Sequence, residues 1–235
     1  MIINTRPIDL ANRINLELED QGINFMHIPL STIEPIEELT RERQSIIKDI
    51  YKVDAIVFTS MSSVQYGIDM INRYGSLESF NGEFISIGPR TAEALKEKKI
   101  QSLTPEQYNS EGLKKLLENF EYSLILIISS SSSEELLKEM VNLRVEYVFS
   151  HTARVNLRAI TKLLKTVKIG DTILIYSKNI FNAIASRIDP TMLNQLNWVV
   201  PSDRIMHHLK KNACNSITTA KSALDSDMLQ ACIKN

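Results

Sequence analysis

Short apolar runs punctuate the chain at Met1 to Ile3, Phe25 to Ile28, Ala55 to Phe58, Phe84 to Ile87, Leu124 to Ile128, Tyr147 to Phe149, Thr172 to Tyr176 and Trp198 to Val200. Most are bounded by Ser, Thr, Asp or Pro, as strands buried in a parallel sheet are. Between them lie segments such as "TAEALKEKKI" and "SSEELLKEMVNL", apolar at i, i+3 and i+4, which is the pattern of a helix with one buried face. The alternation predicts an α/β fold built from βαβ crossovers. With only seven glycines, the turns must rely on Ser, Thr, Asn and Pro caps.

The pattern also repeats. "IINTRPIDLANRINLELEDQGINFMHIPL" and "LILIISSSSSEELLKEMVNLRVEYVFSHT" both spell strand, polar turn, helix, strand. "DAIVFTSMSSVQYGIDMI" is answered by "DTILIYSKNIFNAIASRI", "FISIGPRTAEALKEKK" by "NWVVPSDRIMHHLKKN", and "NSEGLKKLLEN" by "DSDMLQACIKN". The landmarks recur in one order at offsets of about 110 to 125 residues, which points to two similar domains from a duplicated unit. Read from the residues alone, the chain divides near residue 120.

Composition narrows the function. The 235 residues are 43% hydrophobic and 23% charged, and 27 basic against 28 acidic side chains leave a net charge of −1. No global basic field points to nucleic acid. Cys214 and Cys232 have no ligand-type spacing to each other or to His, which argues against a zinc site or a disulfide framework. The N-terminus lacks the pattern of a secretory signal and no run approaches a membrane span, so the cytoplasm is the expected compartment, with no membrane partner. The stretch "FISIGPRTAEALKEK", residues 84 to 98, runs a strand through a Gly-Pro-Arg-Thr turn into a helix. The first N–H groups of such a helix point out of the turn and can hold an anion. Neither GxxxxGK[ST] nor GxGxxG is present, so a nucleotide is not the expected anion. A flavodoxin-like redox protein is poorly supported for the same reason, and because redox cysteines are lacking.

"NTRP" at Asn4 to Pro7, "FTSMSSV" at Phe58 to Val64, "IGPRTAEAL" at Ile87 to Leu95 and "SEGL" at Ser110 to Leu113, with weaker echoes in the second half, resemble the uroporphyrinogen-III synthase family. The resemblance spans nearly the whole chain. It implies two flavodoxin-like parallel-sheet domains joined by a two-stranded hinge. Residues 1–30 with 155–235 would form one domain and 36–146 the other, with hinge strands near 30–35 and 147–154. It implies a cofactor-free lyase of heme biosynthesis, a cytoplasmic monomer that receives hydroxymethylbilane, a linear tetrapyrrole polycarboxylate, by hand-over from hydroxymethylbilane synthase. Loss of the substrate's hydroxyl gives an electrophilic azafulvene, ring D attacks it, and a spiro intermediate rearranges to uroporphyrinogen III with ring D inverted. Because the substrate also closes unaided to the wrong isomer, orientation is the main task.

In that setting the strand-end turns face a cleft between the domains, since α/β sheets bind ligands at the carboxyl ends of their strands. The substrate-binding residues implied are Arg6, Thr59, Ser60, Ser62, Gly88, Arg90, Thr91, Ser129, Ser130, Ser177, Lys178 and Ser202. Each helix N-terminus favours an anion by about 0.3–1 kcal/mol, so several acting together can hold a polyanion without a basic protein. Every one of these residues also has a plainer role. Thr5, Ser131, Ser132 and Ser202 sit where N-caps are expected, with capping boxes from Ser131 to Glu134 and Ser132 to Glu135, and surface arginines are usually solvated or ion-paired. His207 and His208 fit a solvated helix face, and Met206, Leu209 and Trp198 fit a core.

Three departures from the family pattern stand out. Family members carry a tyrosine in a Tyr-x-Thr setting on the second hinge strand; aligned on Thr152, this chain has Ser150, and strand alternation would turn His151 to the opposite face. The second-half echo of IGxxTA reads "VVPSDR", which puts Val200 in the place of the glycine and Asp203 in that of the threonine. Tyr176 supplies a phenol at a strand end, so Tyr176 and Ser150 are the catalytic candidates. The competing reading is a non-catalytic two-domain protein that binds a small polyanion or tetrapyrrole.

Overall fold

The computed structural model describes residues 1–131 and 143–233. Apart from Leu143, the helix expected over "SSEELLKEMVNL" lies outside these residues, as do the glutamates of the two expected capping boxes. In chain order the elements are β1 (Ile2–Asn4), α1 (Ile8–Asp20), β2 (Phe25–His27), β3 (Ser31–Pro35), α2 (Arg41–Lys48), β4 (Ala55–Phe58), α3 (Met61–Tyr74) and β5 (Glu83–Ser86). There follow α4 (Pro89–Glu97), α5 (Ser110–Leu117), β6 (Leu124–Ser130), β7 (Arg144–Val155), α6 (Leu157–Thr166), β8 (Thr172–Leu174) and α7 (Lys178–Ala185). The chain ends with α8 (Pro190–Asn194), β9 (Asn197–Val200), α9 (Asp203–Lys211), β10 (Ser216–Thr219) and α10 (Asp225–Ile233). None of these helices is long and apolar enough to cross a membrane.

Two compact units result: Met1–Thr32 with Arg154–Asn235, and Ile33–Ala153. The sheet of the first unit has the order β2-β1-β8-β9-β10, parallel throughout. Its two faces bury alternate residues of the same strands, as a period of two requires. Ile3, Ile173, Trp198 and Val200 pack with Ile160, Phe181 and Leu209 on one side. Ile2, Leu174 and Val199 pack with Ile14, Leu18 and Met228 on the other. Burying each of these large apolar side chains contributes about 1.5–3 kcal/mol.

The second unit has the order β3-β7-β6-β4-β5, parallel from β7 to β5. Edge strand β3 runs antiparallel to β7: the Ile36 N–H donates to Ser150 O at 3.0 Å while the Asn156 N–H donates to Leu30 O at 2.8 Å, so one strand ascends as the other descends. This sheet is therefore mixed. Beyond β5, Leu103 forms a single parallel bridge to Ile85. Mapped onto the sequence repeats, β6 and β7 answer β1 and β2, β4 answers β8, β5 answers β9, and the Leu103 bridge stands where β10 stands in the first unit. Both sheets thus wind outward in both directions from one central pair, β1 and β8 in one and β6 and β4 in the other.

Candidate functional site

In a sheet wound in two directions, the crossovers on either side of the central pair leave in opposite senses and open a crevice at the strands' carboxyl ends. In the first unit that point is closed by Thr5, whose hydroxyl donates to Leu174 O across the β1–β8 pair. In the second, the Thr59 hydroxyl donates to Ile128 O at 3.2 Å across β4 and β6. Each threonine proton is committed to the neighbouring strand. Thr59, expected to bind substrate, is thereby a tie between strands.

Around the first unit's point lie Arg6, Tyr176, Ser177, Lys178 and Ser202. The resemblance gives Arg6 a substrate carboxylate to meet, but its guanidinium is already occupied within the unit. It ion-pairs with Asp225 through Nη1, donates from Nη2 to Ala223 O at 3.1 Å, and lies 4.5 Å from the centroid of the Tyr176 ring. Asp225 is 1% exposed and Arg6 9%. A buried pair of this kind is costly to open, because either charge left alone would be unpaired in low dielectric. Nothing in the sequence signals the pairing, since the partners lie 219 residues apart. Ser177 caps α7, accepting the Ile180 N–H at 3.2 Å, yet its hydroxyl proton stays available as a donor. Lys178 opens α7 and is half-buried.

Around the second unit's point, Ser60 closes α3 in a capping box with Ser63. Ser62 and Thr91 are buried, Arg90 and Ser130 half-buried. Ser129 is 2% exposed and its Oγ has no hydrogen-bond partner among the described residues. Opposite Ser129 and Ser130 the partner strand advances from Phe149 to His151, so Ser150 is the extra residue of a bulge. That bulge breaks the expected alternation. Ser150 and His151 are both buried, with Ser150 Oγ 2.9 Å from His151 Nδ1, and the Tyr66 and His151 ring centroids lie 5.9 Å apart. Burial holds the His151 imidazole neutral, its pKa lowered to about 4.

Gly88 is the N-cap of α4, with an extended backbone, φ −171°, and no side-chain cap. A Cβ there would meet Tyr108 at 3.5 Å, an ordinary contact. The fold does not demand a glycine. Its counterpart in the first unit is not Val200, which is the buried last residue of β9, but Ser202, the N-cap of α9 with φ −162° and likewise no side-chain cap. Matching the two turns by sequence is off by two residues because both contain a proline, Pro89 inside α4 and Pro201 before α9. α4 and α9, like α1 with Pro7 at its N-cap, have no side-chain cap, whereas α3 and α7 are capped by their own serines.

No cluster of three or more His, Cys, Asp or Glu that could hold a metal ion occurs among the described residues. Burial pushes the thiols of Cys214 and Cys232 up to about 11 and about 12, which leaves both uncharged at neutral pH. The family model described as "Uroporphyrinogen-III synthase HemD" matches residues 12–230. The chain belongs to the uroporphyrinogen-III synthase family. Two solved structures share its fold at low identity. The uroporphyrinogen-III synthetase of Helicobacter pylori is 11% identical, with 99% of this chain and 98% of that one covered and a TM-score of 0.65. A mutant uroporphyrinogen III synthase from Thermus thermophilus is 13% identical, covers 100% of this chain and 99% of that one, and has a TM-score of 0.62. Membership of the uroporphyrinogen-III synthase family does not favour the non-catalytic binding protein.

Proposed function

We propose that the chain closes hydroxymethylbilane to uroporphyrinogen III, with inversion of ring D and loss of water, within heme biosynthesis. The observation that carries this reading is the family match over residues 12–230. Groups suited to carboxylates in each unit support the reading: the uncapped helix end at Ser202 and the Ser177 hydroxyl in the first, and the uncapped helix end at Gly88, the Ser60 hydroxyl and the unpartnered Oγ of Ser129 in the second. Ser62, Arg90, Thr91, Ser130 and Lys178 complete the set.

Tyr176 is the proposed proton donor. Its phenol gives a proton to the departing hydroxyl, which leaves as water, and recovers the proton that ring closure releases from ring D. Ser150 has the lesser role, because its Oγ is engaged by His151 Nδ1 at 2.9 Å. Residues 1–30 with 155–235 and residues 36–146 act as the two domains, and the strand segments near 30–35 and 147–154 act as their hinge. The chain works as a cytoplasmic monomer and takes its substrate from hydroxymethylbilane synthase. Expression in a bacterial strain lacking its own synthase tests the function: restored heme formation supports it, and a verified level of folded chain without rescue overturns it.

A further inference from the structure

Four separate contacts fix Arg6 at the end of β1. Its N–H donates to Asn4 Oδ1 at 3.1 Å, its carbonyl lies 2.8 Å from His27 Nε2, and its guanidinium is held by Asp225 and by Ala223 O. The segment that carries Asp225 is itself tied down, with the Leu224 N–H donating to Ser222 Oγ at 3.1 Å and Ser222 Oγ donating to Asp227 Oδ2 at 2.6 Å. Both terminal nitrogens of the guanidinium are therefore engaged within the unit. The same guanidinium also reaches the phenol, its Cζ lying over the Tyr176 ring 4.5 Å from the centroid. Because the pair is neutral as a whole, its contribution to the phenol is one of place more than of field.

We propose that Asp225 and Arg6 form a clamp that fixes the ring of Tyr176, which makes both of them positioning residues for ring closure. The clamp joins the first turn of the C-terminal helix α10 to the loop after β1. It gives the Arg of "NTRP" a task other than holding substrate. This inference rests on the reading of Tyr176 as proton donor, so its test must tell the two apart.

The variants are the pair Arg6→Met with Asp225→Leu, which removes both charges together and avoids a lone buried ion, and Arg6→Lys, which keeps the charge pair but loses the flat face. Folding is checked by thermal melting, and Arg6→Lys alone carries the test if the double variant does not fold. Two measurements are made: the ring-flip rate of isotopically labelled Tyr176 by NMR, and steady-state kinetics with enzymatically generated hydroxymethylbilane, the kinetics also in a Tyr176→Phe background. The clamp predicts a ring-flip rate raised at least tenfold, kcat lowered about 10- to 100-fold with KM within about threefold of wild type, and no further loss once Tyr176 is Phe. An unchanged ring-flip rate overturns the clamp. A faster ring with unchanged kcat, or a loss that adds fully to that of Tyr176→Phe, overturns its role in the reaction. If Tyr176→Phe alone is as active as wild type, the donor reading fails instead, while the ring-flip result still decides whether the clamp exists.

Discussion

Gly88 and His151 show how single residues separate structural need from function. Gly88 has an extended backbone and room for a Cβ, so Gly88→Ser, which copies its counterpart Ser202, should fold with a melting temperature close to wild type. Gly88→Val should fold too, yet raise KM several-fold by crowding the open end of α4. A KM equal to wild type in the folded valine variant would remove this turn from the site. His151 predicts a pH effect. Its pKa is about 4 in the folded chain against an ordinary 6.5, so the unfolded chain takes up the proton first and stability falls as pH drops from about 6.5 towards 4. The loss should amount to about 2–3 kcal/mol, all of it absent above pH 6.5. Urea midpoints at pH 7.5 and 4.5 check this, with His151→Gln expected to flatten the difference; an equal fall in the variant would assign the effect to other groups.

At the scale of elements, the threonine ties and the helix ends decide which motif residues serve the fold. Thr59→Val should cost about 1 kcal/mol of stability through the lost bond to Ile128 O, with KM unchanged. Gly112, in the "SEGL" stretch, has a different reason to be glycine: a Cβ there would stand 1.9 Å from Gln107 O. Gly112→Ala should destabilise the chain by about 1–3 kcal/mol, as overpacking does, and calorimetry would show it. The strands that the sequence made legible are those rich in Ile, Leu and Val, because burial on both faces leaves a continuous apolar run. β10, "SITT", has a single aliphatic residue, and the Leu103 bridge is too short to leave any pattern. The turn at "VVPSDR" misleads because proline is tolerated both before a helix and in its first turn, so it marks the boundary without fixing the residue. The bulge at Ser150 is equally silent in a pattern of apolar alternation. Arg6 is legible as a motif residue but its partner is not, since an ion pair across the chain leaves no local trace.

At the scale of the molecule, the proposed reading has a chain with a net charge of −1 handle a polycarboxylate by spreading the task over helix ends and hydroxyls. The repeat is permuted in the chain, since β1 opens the sequence while its counterpart, β6, comes late in the second unit. The central claim is synthase chemistry carried out by these residues in a chain with no excess of basic groups. The most direct measurement is the ratio of uroporphyrinogen isomers III and I formed when the purified chain meets enzymatically generated hydroxymethylbilane. The account predicts isomer III in large excess, with a share that rises with added chain and falls towards the uncatalysed mixture in Tyr176→Phe. Isomer I alone, formed at the rate seen without protein by a chain shown to be folded, would contradict it.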